Sequence, residues 1–101
     1  MLLKYLIDQP TMTVEEAWEK LPAEVRDWLN ENGFSDPCYI VDPVDALVKL
    51  AHALAGDYDY NVHVVKTEHG DAIIIDIYTP GLGYDTVIVV LDNNVIAFQY
   101  G

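Results

Sequence analysis

The chain has 101 residues, with 17 Asp and Glu against five Lys and Arg, for a formal net charge of −12. That length fits a single domain spanning residues 1–101, large enough for one core without metal or disulfide staples. With 51% of its residues hydrophobic the chain is no disordered acidic tail, and its charge repels nucleic acid and anionic membrane alike.

The negative charge runs through the whole body: residues 1–34, 35–61 and 62–101 each carry −4. Cys38 is the only cysteine, so no internal disulfide forms, and a reducing compartment fits. Met1 to Asp8 is too short and too soon acidic for a signal peptide, and no run approaches the roughly 18 apolar residues of a membrane span. A cytoplasmic location is expected.

Residues 2–8 place Leu2, Leu3, Leu6 and Ile7 on one helical face, with a strand as the other reading. Gln9-Pro10 ends that element. Thr13-Val14-Glu15-Glu16 is a capping box, in which the Thr13 hydroxyl accepts from the Glu16 N–H and the Glu16 carboxylate reaches back. Val14, Ala17, Trp18 and Leu21 then follow the i, i+3, i+4, i+7 spacing of an amphipathic helix. Pro22 fits the first turn of a second helix whose apolar face is Leu21, Val25, Trp28 and Leu29, ended by Gly33. Phe34 to Val41 reads as a connector with a short extended piece at residues 38–41. Asp42-Pro43 signals a further helix, with Val44, Leu47, Val48, Ala51, Leu54 and Ala55 as its buried stripe and Gly56 as its end.

From Val62 the hydrophobic period changes to two. Strands are predicted at about 62–67, 72–78, 86–91 and 95–100. His69-Gly70-Asp71 and Asp92-Asn93-Asn94 supply tight turns. The expected fold class is α+β, with three or four N-terminal helices packed on a four-stranded antiparallel β-meander. Both sheet faces are apolar: Ile73, Ile75 and Ile77 lie on one side of the second strand, Ala72 and Ile74 on the other. Either helices cover both faces, or the second face is a dimer or partner interface. Connections this short favour helices on one side.

No constellation in the sequence assembles an active site, and the reading is of a non-enzyme without a cofactor. Asp57, Asp59, Asn61 and Glu68 match positions 1, 3, 5 and 12 of an EF-hand calcium loop. Position 6, which needs Gly, holds Val62, and a β run replaces the exit helix. Calcium is therefore a subordinate alternative. His52, His63 and His69 lack the spacing of a zinc site. Gly81-Leu82-Gly83 is no phosphate loop, since neither a Lys nor a helix follows. Asp76, in mid-strand, is a general base if burial raises its pKa and His63 pairs with it; otherwise it faces solvent or pairs with Lys66. The helix rhythm of the first 33 residues resembles that of helix-turn-helix domains. The would-be reading helix, Pro22 to Asn32, sets one base, Arg26, against Glu24, Asp27 and Glu31, so the resemblance is architectural and direct DNA contact is not expected.

The acidity itself is the functional signal. Its magnitude exceeds the roughly 2–8 charges usual for a small domain, and Glu15/Glu19 and Asp27/Glu31 are like-charge i, i+4 pairs. The leading expectation is a small acidic inhibitor that docks on the basic groove of a nucleic-acid-binding protein as a phosphate mimic, of the anti-CRISPR, anti-restriction or nuclease-immunity type. The expected contacts are Glu15, Glu16, Glu19, Glu24, Asp27 and Glu31 on the helices, and Asp57, Tyr58, Asp59 and Tyr60, where tyrosine supplies area and carboxylate supplies charge. The alternative is a homodimeric accessory or regulatory protein, joined through the apolar sheet face, whose charge reflects solubility or salt adaptation.

Overall fold

The computed structural model describes residues 12–79, 81 and 83–101; the element expected at residues 2–8 lies outside them. The architecture is α+β. Helices α1 (Val14–Lys20) and α2 (Ala23–Glu31) lead into strand β1 (Tyr39–Val41). Helix α3 (Pro43–Leu54) follows, and then four strands, β2 (Asp59–Thr67), β3 (Gly70–Thr79), β4 (Tyr84–Leu91) and β5 (Asn94–Tyr100). All pairings are antiparallel, in the order β1-β5-β4-β3-β2.

The helix starts follow their sequence signals. The Thr13 hydroxyl accepts from the Glu16 N–H and the Glu16 carboxylate from the Thr13 N–H, both at 3.2 Å. The Thr13 N–H, and the Thr13 hydroxyl after it, hold the Glu16 carboxyl below its ordinary pKa by hydrogen-bonding to the carboxylate, with the Lys20 charge adding to the effect. Asp42 caps α3 by accepting from the Val44 N–H at 2.8 Å, with Pro43 at the first helical position. Asp92 and Asn93 both have positive φ, 55° and 64°, the two left-handed residues that a type I′ turn requires between β4 and β5.

Among the described residues the sheet has five strands, not four. Tyr39–Val41 pairs with Gln99, Phe98 and Ala97 at the free edge of β5. Three residues are too few for a period-two pattern to register, which is why this stretch reads as a connector. The small strand decides the layering. It carries the chain past the sheet edge, so α1 and α2 pack on one face and α3 on the other. The expectation that short connections keep the helices on one side fails here because β1 sits at one edge of the sheet and β2 at the other. The 12 residues of α3, about 18 Å long, bridge the four inter-strand gaps of about 19 Å between them.

On the first face Ala17, Leu21, Val25 and Leu29 pack on Ala72, Ile74, Val87, Val89, Ile96 and Phe98, the stripes predicted for α1 and α2. Trp18 meets Phe98 edge-on, with centroids 6.1 Å apart, and Phe34 meets Tyr100 at 5.1 Å. On the second face the stripe assigned to α3 is wrong. Ala46, Ala53 and half-buried Leu50 face the sheet, against Val41, Ile77, Ile88, Val95 and Ala97. Val44, Leu47, Val48, Ala51, Leu54 and Ala55 are exposed. The helix is apolar around more than half its circumference. The small Ala46 and Ala53 permit the close approach, whereas the bulkier residues do not.

Candidate functional site

The carboxylates of α1 and α2 stand on the outer surface of the helical layer. Glu15, Glu16, Glu19, Asp27 and Glu31 are exposed and Glu24 is half-buried. Glu24 already has an intramolecular role, since its carboxylate accepts from the Glu68 N–H at 3.0 Å and ties α2 to the β2–β3 turn. Among the described residues no carboxylate lies within ion-pair distance of a Lys or Arg. Among the described residues the one charge-pairing contact is His52 Nδ1 with the Asp57 carboxylate, 2.9 Å apart, an ion pair when the imidazole is protonated. Sixteen of the 17 acids, all but Asp8, and four of the five Lys and Arg, all but Lys4, are among those residues. Glu31 also occupies the last turn of α2, which holds no base, where the helix dipole disfavours an anion by roughly 0.3–1 kcal/mol.

Three contacts fix the course of α2 along the sheet. Glu24 meets the β2–β3 turn, Trp28 lies over His63 in mid-strand with ring centroids 4.7 Å apart, and just past the helix the Phe34 carbonyl accepts from the Tyr100 hydroxyl at 2.9 Å. Burial, with the Asp36 carboxylate adding to it, raises the Tyr100 phenol above its ordinary pKa and keeps it a donor. The C-terminal end of α2 thus points at the end of the sheet where the register aligns Asp59, Tyr78, Asp85 and Tyr100 across four neighbouring strands. The next row inward is Asn61, Asp76, Val87 and Phe98. Three carboxyls, from β2, β3 and β4, converge beside two phenols on the face that also carries the helix acids.

Within this cluster Asp76 is distinctive. Its Oδ1 is shut off from solvent with no hydrogen-bond partner among the described residues. Burial, then the hydrogen bond to the Asp85 carboxyl, then repulsion by its charge push the Asp76 pKa up to about 7. Neither expected partner of Asp76 is there. His63 packs on Trp28, and Lys66 stands opposite Asp71 near the other end of the strands. Asp85 escaped the sequence reading because nothing in a linear sequence sets residues 76 and 85 diagonally across two strands. The β3–β4 register does that.

The 57–60 segment does not act as one alternating surface. Asp57 accepts from His52, and Tyr58 is half-buried beside the same imidazole, at 5.8 Å. Strand geometry then separates the last two: Asp59 joins the acidic row, and Tyr60 projects from the opposite face. The same strand draws out the residues of the calcium pattern. Asp59 and Glu68 lie roughly 30 Å apart along an extended chain, and among the described residues no three or more His, Cys, Asp or Glu side chains group as metal ligands.

A second polar feature lies under α3. A cleft of about 710 Å³ is lined by Tyr39, Asp45, Lys49, His52, Tyr84 and Gln99, among others. Lys49 donates to the Tyr84 hydroxyl at 2.9 Å and sits 4.1 Å from its ring centroid. That hydrogen bond and the nearby ammonium charge hold the Tyr84 phenol below its ordinary pKa. Behind it, the buried Thr86 hydroxyl donates to Gln99 Oε1 at 3.0 Å.

The described residues hold no helix long and apolar enough to cross a membrane. Neither a family model, nor a characterised protein, nor a solved structure matches the chain.

Proposed function

We propose that this acidic domain is a non-enzymatic binding protein whose carboxylates stand in for nucleic-acid phosphates on the basic groove of a nucleic-acid-binding protein, blocking it. The observation that carries this reading is the absence of any Lys or Arg ion pair around the carboxylates of the described residues. Exposed acids held apart from internal bases pay electrostatic repulsion that an approaching basic surface relieves, and the same field speeds the encounter.

The contact surface extends from Glu15, Glu16 and Glu19 across Asp27 and Glu31 to the row of Asp59, Tyr78 and Asp85. Tyr78 is exposed and gives the apolar contact area that tyrosine contributes at interfaces. Asp57, Tyr58 and Tyr60, grouped with these by sequence alone, have other neighbours and are left at the margin.

The experiment is capture from lysate at low salt, followed by competition. Immobilised protein should retain basic nucleic-acid-binding proteins, release them as salt rises, and lose them to added duplex DNA. Recovery of no basic protein, or capture indifferent to both salt and DNA, sinks the reading.

A further inference from the structure

We propose that two copies of this chain pair antiparallel along β2, joining their sheets into one continuous ten-stranded sheet. The two edges of the monomer's sheet differ sharply. Strand β1 offers three residues, a blunt edge. Strand β2 offers nine, Asp59–Thr67, every one of them in unbroken register with β3. Natural edge strands are protected by proline, bulges, inward charges or several lysines. Between its ends β2 has no proline and no bulge, and its single base, Lys66, is next to the last position. Among the described residues only β3 pairs with β2, so alternate residues present N–H and C=O groups without a strand partner along this edge.

On the face shared with α3 the side chains in the middle of that edge are apolar. Val62 and Val64 are 54% and 61% exposed and stand next to half-exposed Ile73. Leu54, 65% exposed at the end of α3, lines a shallow groove with Tyr60. The polar side of α3 points the other way, into the cleft with Tyr84.

Charge identifies the occupant as a second copy. The two longest stretches of the chain that hold a base and no acid are residues 46–56 and 60–67. They are the body of α3 and the body of β2, which border this one surface. Along the middle of β2, residues 60–67, two molecules of charge −12 meet without opposing carboxylates, and a basic partner has no reason to prefer this stretch. Two-fold antiparallel pairing sets residues of the same face opposite each other, so using all nine residues centres the register on His63. Val62 then meets Val64 of the other copy, and Lys66 meets Tyr60, an ammonium beside an aromatic ring.

Sedimentation and light scattering of the purified chain should give twice the 11.4 kDa chain mass at micromolar concentrations. Val64→Lys, at a position already in solvent, should give a monomer that keeps its far-UV circular dichroism and still captures basic proteins. In a Cys38→Ser background His63→Cys should form an inter-chain disulfide when a mild oxidant such as oxidised glutathione is added to take the two electrons, since the paired Cβ atoms come within about 5 Å. A wild-type monomer throughout that range, a dimer that survives Val64→Lys, or a dimer that His63→Cys fails to cross-link would each overturn the proposal. None of these outcomes bears on the helix carboxylates of the acidic contact surface, which stand on the other face; Asp59, at the end of β2, is the residue the two surfaces share.

Discussion

The carboxyl of Asp76 on β3 lies diagonally across from that of Asp85 on β4, close enough to hydrogen-bond it, and burial together with this neighbour lifts the Asp76 pKa to about 7. A hydrogen bond between two carboxyls needs a proton between them. Asp76 is therefore a neutral-pH titration site within an acidic surface.

The sign of its contribution follows from the direction of the shift. Folded, Asp76 keeps its proton up to about pH 7; unfolded, it releases it near the ordinary aspartate value of 3.8. The folded state binds more protons across that window, so this group's contribution is greatest at the acid end and is lost as pH rises through 7. Asp76→Asn, neutral at every pH, should stabilise the protein at pH 8 by roughly 1–2 kcal/mol once solvent screening of a half-buried pair is allowed for. It should also flatten the decline between pH 4 and 8. Urea unfolding at several pH values measures both, and an unchanged pH profile in the variant would remove the assignment.

Glu31 sits at the negative end of the α2 dipole with no base in its turn. Glu31→Lys should therefore raise stability by about 0.3–1 kcal/mol while weakening capture of basic proteins and lowering its salt dependence. The two effects are read separately, by thermal melting and by salt-titrated binding. A variant that is more stable and binds as before would show that Glu31 lies outside the contact surface.

Lys49 holds the Tyr84 phenol below the ordinary tyrosine range through its hydrogen bond and its charge. Spectrophotometric titration should find one tyrosine ionising early, below the ordinary tyrosine range. Lys49→Met should return that tyrosine to the usual range, and Tyr84→Phe should delete its step. Persistence of the early step in Tyr84→Phe would place it on another residue.

Much of this fold is legible in the chain itself because its signals are local. The capping box at Thr13 and Glu16, the Asp42-Pro43 helix start and the Asp92-Asn93 turn each depend on residues within four positions of one another, and each forms as the sequence implies. The apolar stripes of α1 and α2 are equally plain, because each helix has one apolar side and so one way to pack. The even distribution of negative charge also needs no structure to be seen.

Tertiary structure decided what depends on register and on direction. The helix α3 carries apolar residues around most of its girth, and periodicity cannot say which part meets the sheet. Small Ala46 and Ala53 fitting under the helix, and Lys49 reaching Tyr84, set that angle and turn Leu47 and Leu54 outward. Only strand pairing brings Asp59, Tyr78, Asp85 and Tyr100 into one row, and only the three residues of β1, too short to show a period, send α3 across the second face and leave β2 as an open edge. Sequence determines the elements and the charge through neighbours along the chain. The placement of that charge, and of the uncovered apolar surface, depends on contacts between residues far apart in it.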